Sequence, residues 1–194
     1  MDGVIEAFIA LFVIMDPIGS LPIFIGLTKG MPLKEVKNSV DKSVFVAAVL
    51  LFAFLFLGQQ IFDFFGINLD SFQIAGGIVL LILGIFYIFG YMYKISELHG
   101  KDLSVPVGTP LLTGPGVITT TVILVKENGT LVTVIAAFLT LLVTWLILIN
   151  AFKIYKVLGD HWTNVISRVM GIILAAIAVE FITKGISSII APMV

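Results

Sequence analysis

Two apolar segments of this chain are interrupted by proline in the same way, and that narrows its fold more than any other feature. The first interruption reads Asp16-Pro17-Ile18-Gly19-Ser20-Leu21-Pro22 and the second Thr109-Pro110-Leu111-Leu112-Thr113-Gly114-Pro115-Gly116. Pro17 matches Pro110, and Pro22 matches Pro115, both at an offset of 93 positions. Proline lacks a backbone donor and clashes with the preceding turn, so each segment is expected to kink or unwind. In a membrane, irregular backbone is tolerated only where protein or a cavity satisfies the freed carbonyls. Matched breaks in two halves of a membrane protein point to a transporter binding site.

Composition decides that a membrane is the right setting. Of 194 residues 59% are hydrophobic and 12% charged, and the mean hydropathy is +1.17. Soluble domains run nearer about 45–50% apolar and about 25% charged. A bilayer core needs roughly 20 apolar residues per helix. Stretches 5–28, 43–62, 71–93, 104–125, 130–152 and 169–191 meet that length, and the middle four carry no Lys, Arg, Asp or Glu. Unbroken apolar runs without alternation predict helices, not a membrane β-barrel. The sequence reading is therefore an all-α membrane protein with six transmembrane helices. It forms one polytopic domain over 1–194, with repeat 1 about 1–97 and repeat 2 about 98–194. Three spans per repeat is an odd number, so the halves run in opposite senses and the first and fourth helices are the broken ones.

Further matches support the repeat. Ser20 falls opposite Thr113, Thr28 opposite Thr121 and Gly66 opposite Gly159 at the same offset of 93, while Gly77-Ile78-Val79-Leu80 falls opposite Gly171-Ile172-Ile173-Leu174 at 94. The loops at 29–42, 94–103 and 153–168 hold nine of the eleven basic residues, leaving Lys126 and Lys184 on the other side. The positive-inside rule then puts both termini outside the cell membrane. Pro32 before Leu33-Lys34-Glu35 predicts a helical turn running into the second span.

Asp16 is the leading candidate for chemistry. A carboxylate at the bilayer centre costs about 2.5–3.5 kcal/mol on insertion scales unless protonated, paired or facing water. It could carry a coupling proton or face a substrate ammonium, and it could equally cap the half-helix that starts at Pro17. Glu180 is a second candidate for proton coupling, against an i,i+4 pair with Lys184. Ser20 and Thr113 lie inside the breaks. Within the second break, Pro110 to Gly116, Gly114 and Gly116 flank Pro115 and let backbone approach a ligand, and amides at a half-helix N-terminus attract a carboxylate. Thr119, Thr120 and Thr121 could contact substrate, although hydroxyls in apolar helices more often bond back to their own helix. Tyr87 and Trp145 sit deep enough to line a cavity, but packing is the commoner role. The sequence lacks cysteine, and His99 and His161 are isolated, so no metal site is expected. No HExxH, GxSxG or phosphate-binding loop is present, so no enzyme is predicted. No basic patch suggests nucleic acid.

The two motifs, Asp16-Pro17-Ile18-Gly19-Ser20-Leu21-Pro22-Ile23-Phe24 and Pro110-Leu111-Leu112-Thr113-Gly114-Pro115-Gly116-Val117-Ile118, resemble those of the MarC family of integral membrane proteins. That family is grouped with LysE-type exporters and includes transporters of glycine and alanine. Its motif often has Asn before the first proline, where this chain has Asp16. By position the resemblance implicates Asp16, Pro17, Gly19 and Pro22, with Pro110, Gly114, Pro115 and Gly116. The expected function is a secondary transporter of small neutral amino acids, with the substrate at the midplane between the two breaks. Coupling is expected to H⁺ through Asp16, with Na⁺ on unwound carbonyls as the alternative and no other cofactor. The rival reading is an exporter or channel for an ion or another small metabolite. The expected partners are the solute and the lipid bilayer, with a homo-oligomer left open.

Overall fold

A computed structural model describes residues 2–28, 31–90 and 112–190. The described chain is helical throughout. In order, α1 covers Asp2–Met15, α2 Leu21–Thr28, α3 Leu33–Phe65, α4 Leu69–Phe89, α5 Pro115–Asn128, α6 Thr130–Ile149 and α7 Ala151–Ile190. Gly159 (φ 71°, ψ 172°) interrupts α7, so Asn164–Ile190 is a separate straight length of helix.

Four of these lengths are long and apolar enough to cross a bilayer: Leu33–Phe65, Leu69–Phe89, Thr130–Ile149 and Asn164–Ile190. They coincide with the expected spans 43–62, 71–93, 130–152 and 169–191. The first expected span, 5–28, is two short helices instead. At 14 residues α1 is about 21 Å long, too short to cross a core of about 30 Å alone, and α2 resumes after a turn. In the fourth expected span, 104–125, the described part begins at Leu112 and becomes helix α5 at Pro115.

Helix ends follow their residues. Pro32 precedes α3, and Glu35 sits in the first turn, as the sequence reading has it. Gly66 (φ 64°) closes α3 in the left-handed region, its amide bonded to the last turn's carbonyls. Gly66 and Gly159 are the glycines matched at the offset of 93, and both adopt positive φ. The helical turn expected after Pro32 extends through positions 33–42, and most of 153–168, expected as a loop, is helix, because lysines end an apolar run without ending a helix; at 153–168 only Gly159 does that.

The burial pattern suits lipid. Ile5, Phe45, Phe56, Ile78, Phe138 and Ile172 point outward, while Thr28, Thr119, Thr121, Thr133 and Thr140 are completely buried. Each of these five hydroxyls donates to the carbonyl four residues earlier, at 2.7–2.9 Å. That satisfies its polarity within its own helix.

The most extensive helix pairing joins α4 to α7, and glycines allow it. A Cβ on Gly77 would lie 2.8 Å from the Ala178 carbonyl oxygen, and one on Gly84 2.8 Å from that of Gly171. Asp70 and Gly185 repeat the contact, again at 2.8 Å. Gly171, Ala178 and Gly185, seven positions apart on α7, meet Gly84, Gly77 and the Asp70 backbone of the antiparallel α4 and so bring backbone against backbone, the usual basis of tight packing in membranes.

Candidate functional site

The site grows out of the first break. Pro17 disfavours a right-handed helical conformation for the residue before it. Asp16 takes the left-handed one instead (φ 45°), which Asp tolerates better than most residues. Its amide still closes α1 on the Phe12 carbonyl at 3.0 Å. Its own carbonyl accepts from the Ser20 amide at 3.1 Å and from the Ser20 hydroxyl at 2.8 Å. The Gly19 amide donates to Asp16 Oδ1 at 2.9 Å, so one carboxylate oxygen caps the turn that leads into α2.

The other oxygen is the anomaly. Asp16 is 3% exposed, and Oδ2 has no hydrogen-bond partner. A buried oxygen of this kind carries a desolvation cost of about 1–3 kcal/mol, more if charged. Asp16 lines a small cavity with Ser20, Leu80, Tyr87 and Leu174, and the opposite wall is Gly114, Pro115 and Gly116. The structure therefore brings the two breaks to one place.

The second break presents the start of a helix to that cavity. Gly114 is extended (φ −82°, ψ 178°), and Pro115 opens α5 with no side chain capping it. The first amides of a helix have no internal partner and carry partial positive charge. Gly116 is needed for close approach, since a Cβ there would strike the Leu80 side chain. An unpartnered acceptor thus shares a cavity with an uncapped helix N-terminus. The space is only about 20 Å³, room for about one water, so a larger solute fits only if α1, α4 and α5 separate.

The remaining candidates divide. Gly19 is buried and supplies the amide to Asp16. Pro17 is buried behind the turn, and Pro22 is the second residue of α2. Thr113 turns away from the cavity: its hydroxyl donates to the Ala47 carbonyl of α3 at 3.1 Å, pinning the second break to that helix. Glu180 also lies elsewhere, ion-paired with Lys184 at 3.2 Å on an exposed face. Pro110 lies outside the described residues. Of the three consecutive threonines, Thr119 and Thr121 bond back to their helix, whereas the buried Thr120 hydroxyl has no partner.

Tyr87 matters more than its sequence context suggests. It is buried and lines the cavity beside Asp16 and Ser20. The only signal was a hydroxyl in an otherwise aliphatic and phenylalanine-rich helix. Trp145 has a different place, donating to Asp41 at 2.8 Å.

The fold and this site define a multi-pass helical membrane protein with an interrupted helix at a buried polar centre. Residues 1–190 match the model of the MarC family of integral membrane proteins. A UPF0056 membrane protein of Methanocaldococcus jannaschii is 36% identical over 196 residues, covering 94% of this chain and 95% of the relative. Another from Buchnera aphidicola subsp. Schizaphis graminum is 34% identical (95% and 92% covered). A third from Pyrococcus horikoshii is 35% identical (92% of each). No solved structure matches the chain. The chain belongs to the MarC family.

Proposed function

We propose that this protein is a secondary transporter of small neutral amino acids of the glycine and alanine type. It works in the cell membrane with both termini extracytoplasmic. The observation that carries the reading is the unpartnered Asp16 Oδ2 in the same cavity as the uncapped start of α5. A zwitterion has complementary ends: its ammonium suits the carboxylate and exposed carbonyls, and its carboxylate suits the α5 amides. The aliphatic wall of Leu80 and Leu174 favours a short uncharged side chain. Asp16 serves as the coupling acid, releasing its proton when the cavity opens to water on the far side.

The proposed architecture is six spans in two inverted three-helix repeats. Support comes from the α4–α7 contact. A shift of 94 positions carries Gly77 to Gly171 and Gly84 to Ala178. It therefore exchanges the Gly77–Ala178 contact with the Gly84–Gly171 contact, as a two-fold axis between the helices requires. Such an axis lets one chain adopt two related states open to opposite sides.

The test is uptake of labelled alanine and glycine into proteoliposomes, with and without imposed pH or Na⁺ gradients. Saturable uptake stimulated by a pH gradient in the wild type and lost in Asp16→Asn is the expected result. Stimulation by Na⁺ alone would replace the proton. Flux that never saturates with an amino acid would favour an exporter or channel for another small solute.

A further inference from the structure

A second, larger cavity lies between α1, α4, α5 and α7, with a volume of about 600 Å³. It opens on the membrane face that holds the start of α4 and the end of α5. Its polar lining includes Gln73 and Thr120, and Asp70, Lys126 and Glu127 also contribute to it. Gln73 is 7% and Thr120 6% exposed. The Thr120 hydroxyl is buried without a partner, although its neighbours Thr119 and Thr121 both bond back to the helix. Thr120 reaches the cavity with its other atoms, so a turn about χ1 carries the hydroxyl into a roomy polar space where water or a ligand group can satisfy it. Charges of both signs flank it, and the volume falls within the range of small-molecule pockets, about 300–1,000 Å³.

Ile14 lines both this cavity and the small one at Asp16. It is 9% exposed and stands two residues before Asp16 at the end of α1, where unwinding at the break would move it. We infer that the large cavity is a water-filled outer binding site for a small zwitterion, with Gln73 and Thr120 as its polar contacts and Ile14 as the gate to Asp16. The identity of the solute rests on the transporter reading; the aqueous site and the gate do not.

The chain has no cysteine, so single-cysteine variants of the whole protein test this directly in proteoliposomes. The probe is a membrane-impermeant cationic methanethiosulfonate. Thr120→Cys and Gln73→Cys are expected to react at least about tenfold faster than Thr140→Cys, a thiol buried away from both cavities. Millimolar glycine or alanine is expected to slow Thr120→Cys labelling several-fold. Ser20→Cys is expected to react slowly, and about tenfold faster once Ile14→Ala joins the cavities.

Thr120→Cys labelling no faster than Thr140→Cys overturns the aqueous site. Ser20→Cys labelling unchanged by Ile14→Ala overturns the gate. Labelling without protection, in vesicles that still take up alanine, overturns the outer zwitterion site and leaves the transporter standing. Absence of both protection and uptake removes the amino-acid reading itself.

Discussion

Gly19→Ala isolates the geometry that holds Asp16. Gly19 needs no unusual backbone angle, since its φ is not positive, so an added methyl acts only through what it meets. It meets the Asp16 side chain. The new Cβ would overlap Oδ2 and stand 2.7 Å from Cγ and 2.9 Å from Oδ1. Real Cβ atoms essentially never approach that closely, so the carboxylate must swing away. Two terms then add. The Gly19 amide loses its buried acceptor, at about 1–3 kcal/mol, and forcing a methyl into packed space costs about 1–3 kcal/mol. Some relaxation is shared between them, which gives about 2–4 kcal/mol in total. For a chain of this size that is a fall of roughly 5–15 °C in unfolding midpoint. The assay is the temperature at which the detergent-solubilised protein loses its monodisperse peak, with Gly66→Ala as control. A Cβ on Gly66 meets nothing, and its cost comes only from φ 64°, about 1–2 kcal/mol. A Gly19→Ala midpoint at or above that of Gly66→Ala, with uptake intact, would refute the placement of Asp16.

Other substitutions follow from the same contacts. Gly84→Leu places a side chain against the Gly171 carbonyl and should prevent α4 and α7 from closing, read as loss of the folded peak on size exclusion. Tyr87→Phe removes a buried phenol from the cavity that Asp16 and Ser20 line while keeping the ring; the midpoint should move by less than about 1.5 kcal/mol in stability, while alanine uptake falls. Glu180→Gln breaks an exposed i,i+4 pair, so stability should change by no more than about 0.5 kcal/mol and uptake should stay at wild-type rate.

Much of this structure was legible in the sequence because membranes leave few options. Four apolar runs became long helices, and the turn at 16–20 follows from Pro17 acting on Asp16. That residues of both interruptions line one cavity accords with their matched proline spacing. What stayed hidden depends on side-chain direction. Thr113 and Ser20 occupy matched positions, yet Ser20 faces the cavity while Thr113 bonds to Ala47. No periodicity distinguishes the two. The packing role of Gly77, Gly84, Gly171 and Gly185 shows only in their contacts across the α4–α7 interface. Helix through 153–158 was missed because charge was read as loop, when only a conformational break such as Gly159 ends a helix.

The central claim is that Asp16 binds solute and carries the coupled proton. The most direct measurement is alanine-driven acidification inside proteoliposomes loaded with a pH-sensitive dye, comparing wild type with Asp16→Asn. Asparagine keeps an oxygen for the Gly19 amide and tolerates the left-handed backbone, so the fold is preserved while the titrating group is lost. The account predicts proton entry on addition of alanine to wild type and none with Asp16→Asn of equal thermal stability. Proton entry undiminished in that variant would contradict it and reduce Asp16 to the cap of a turn.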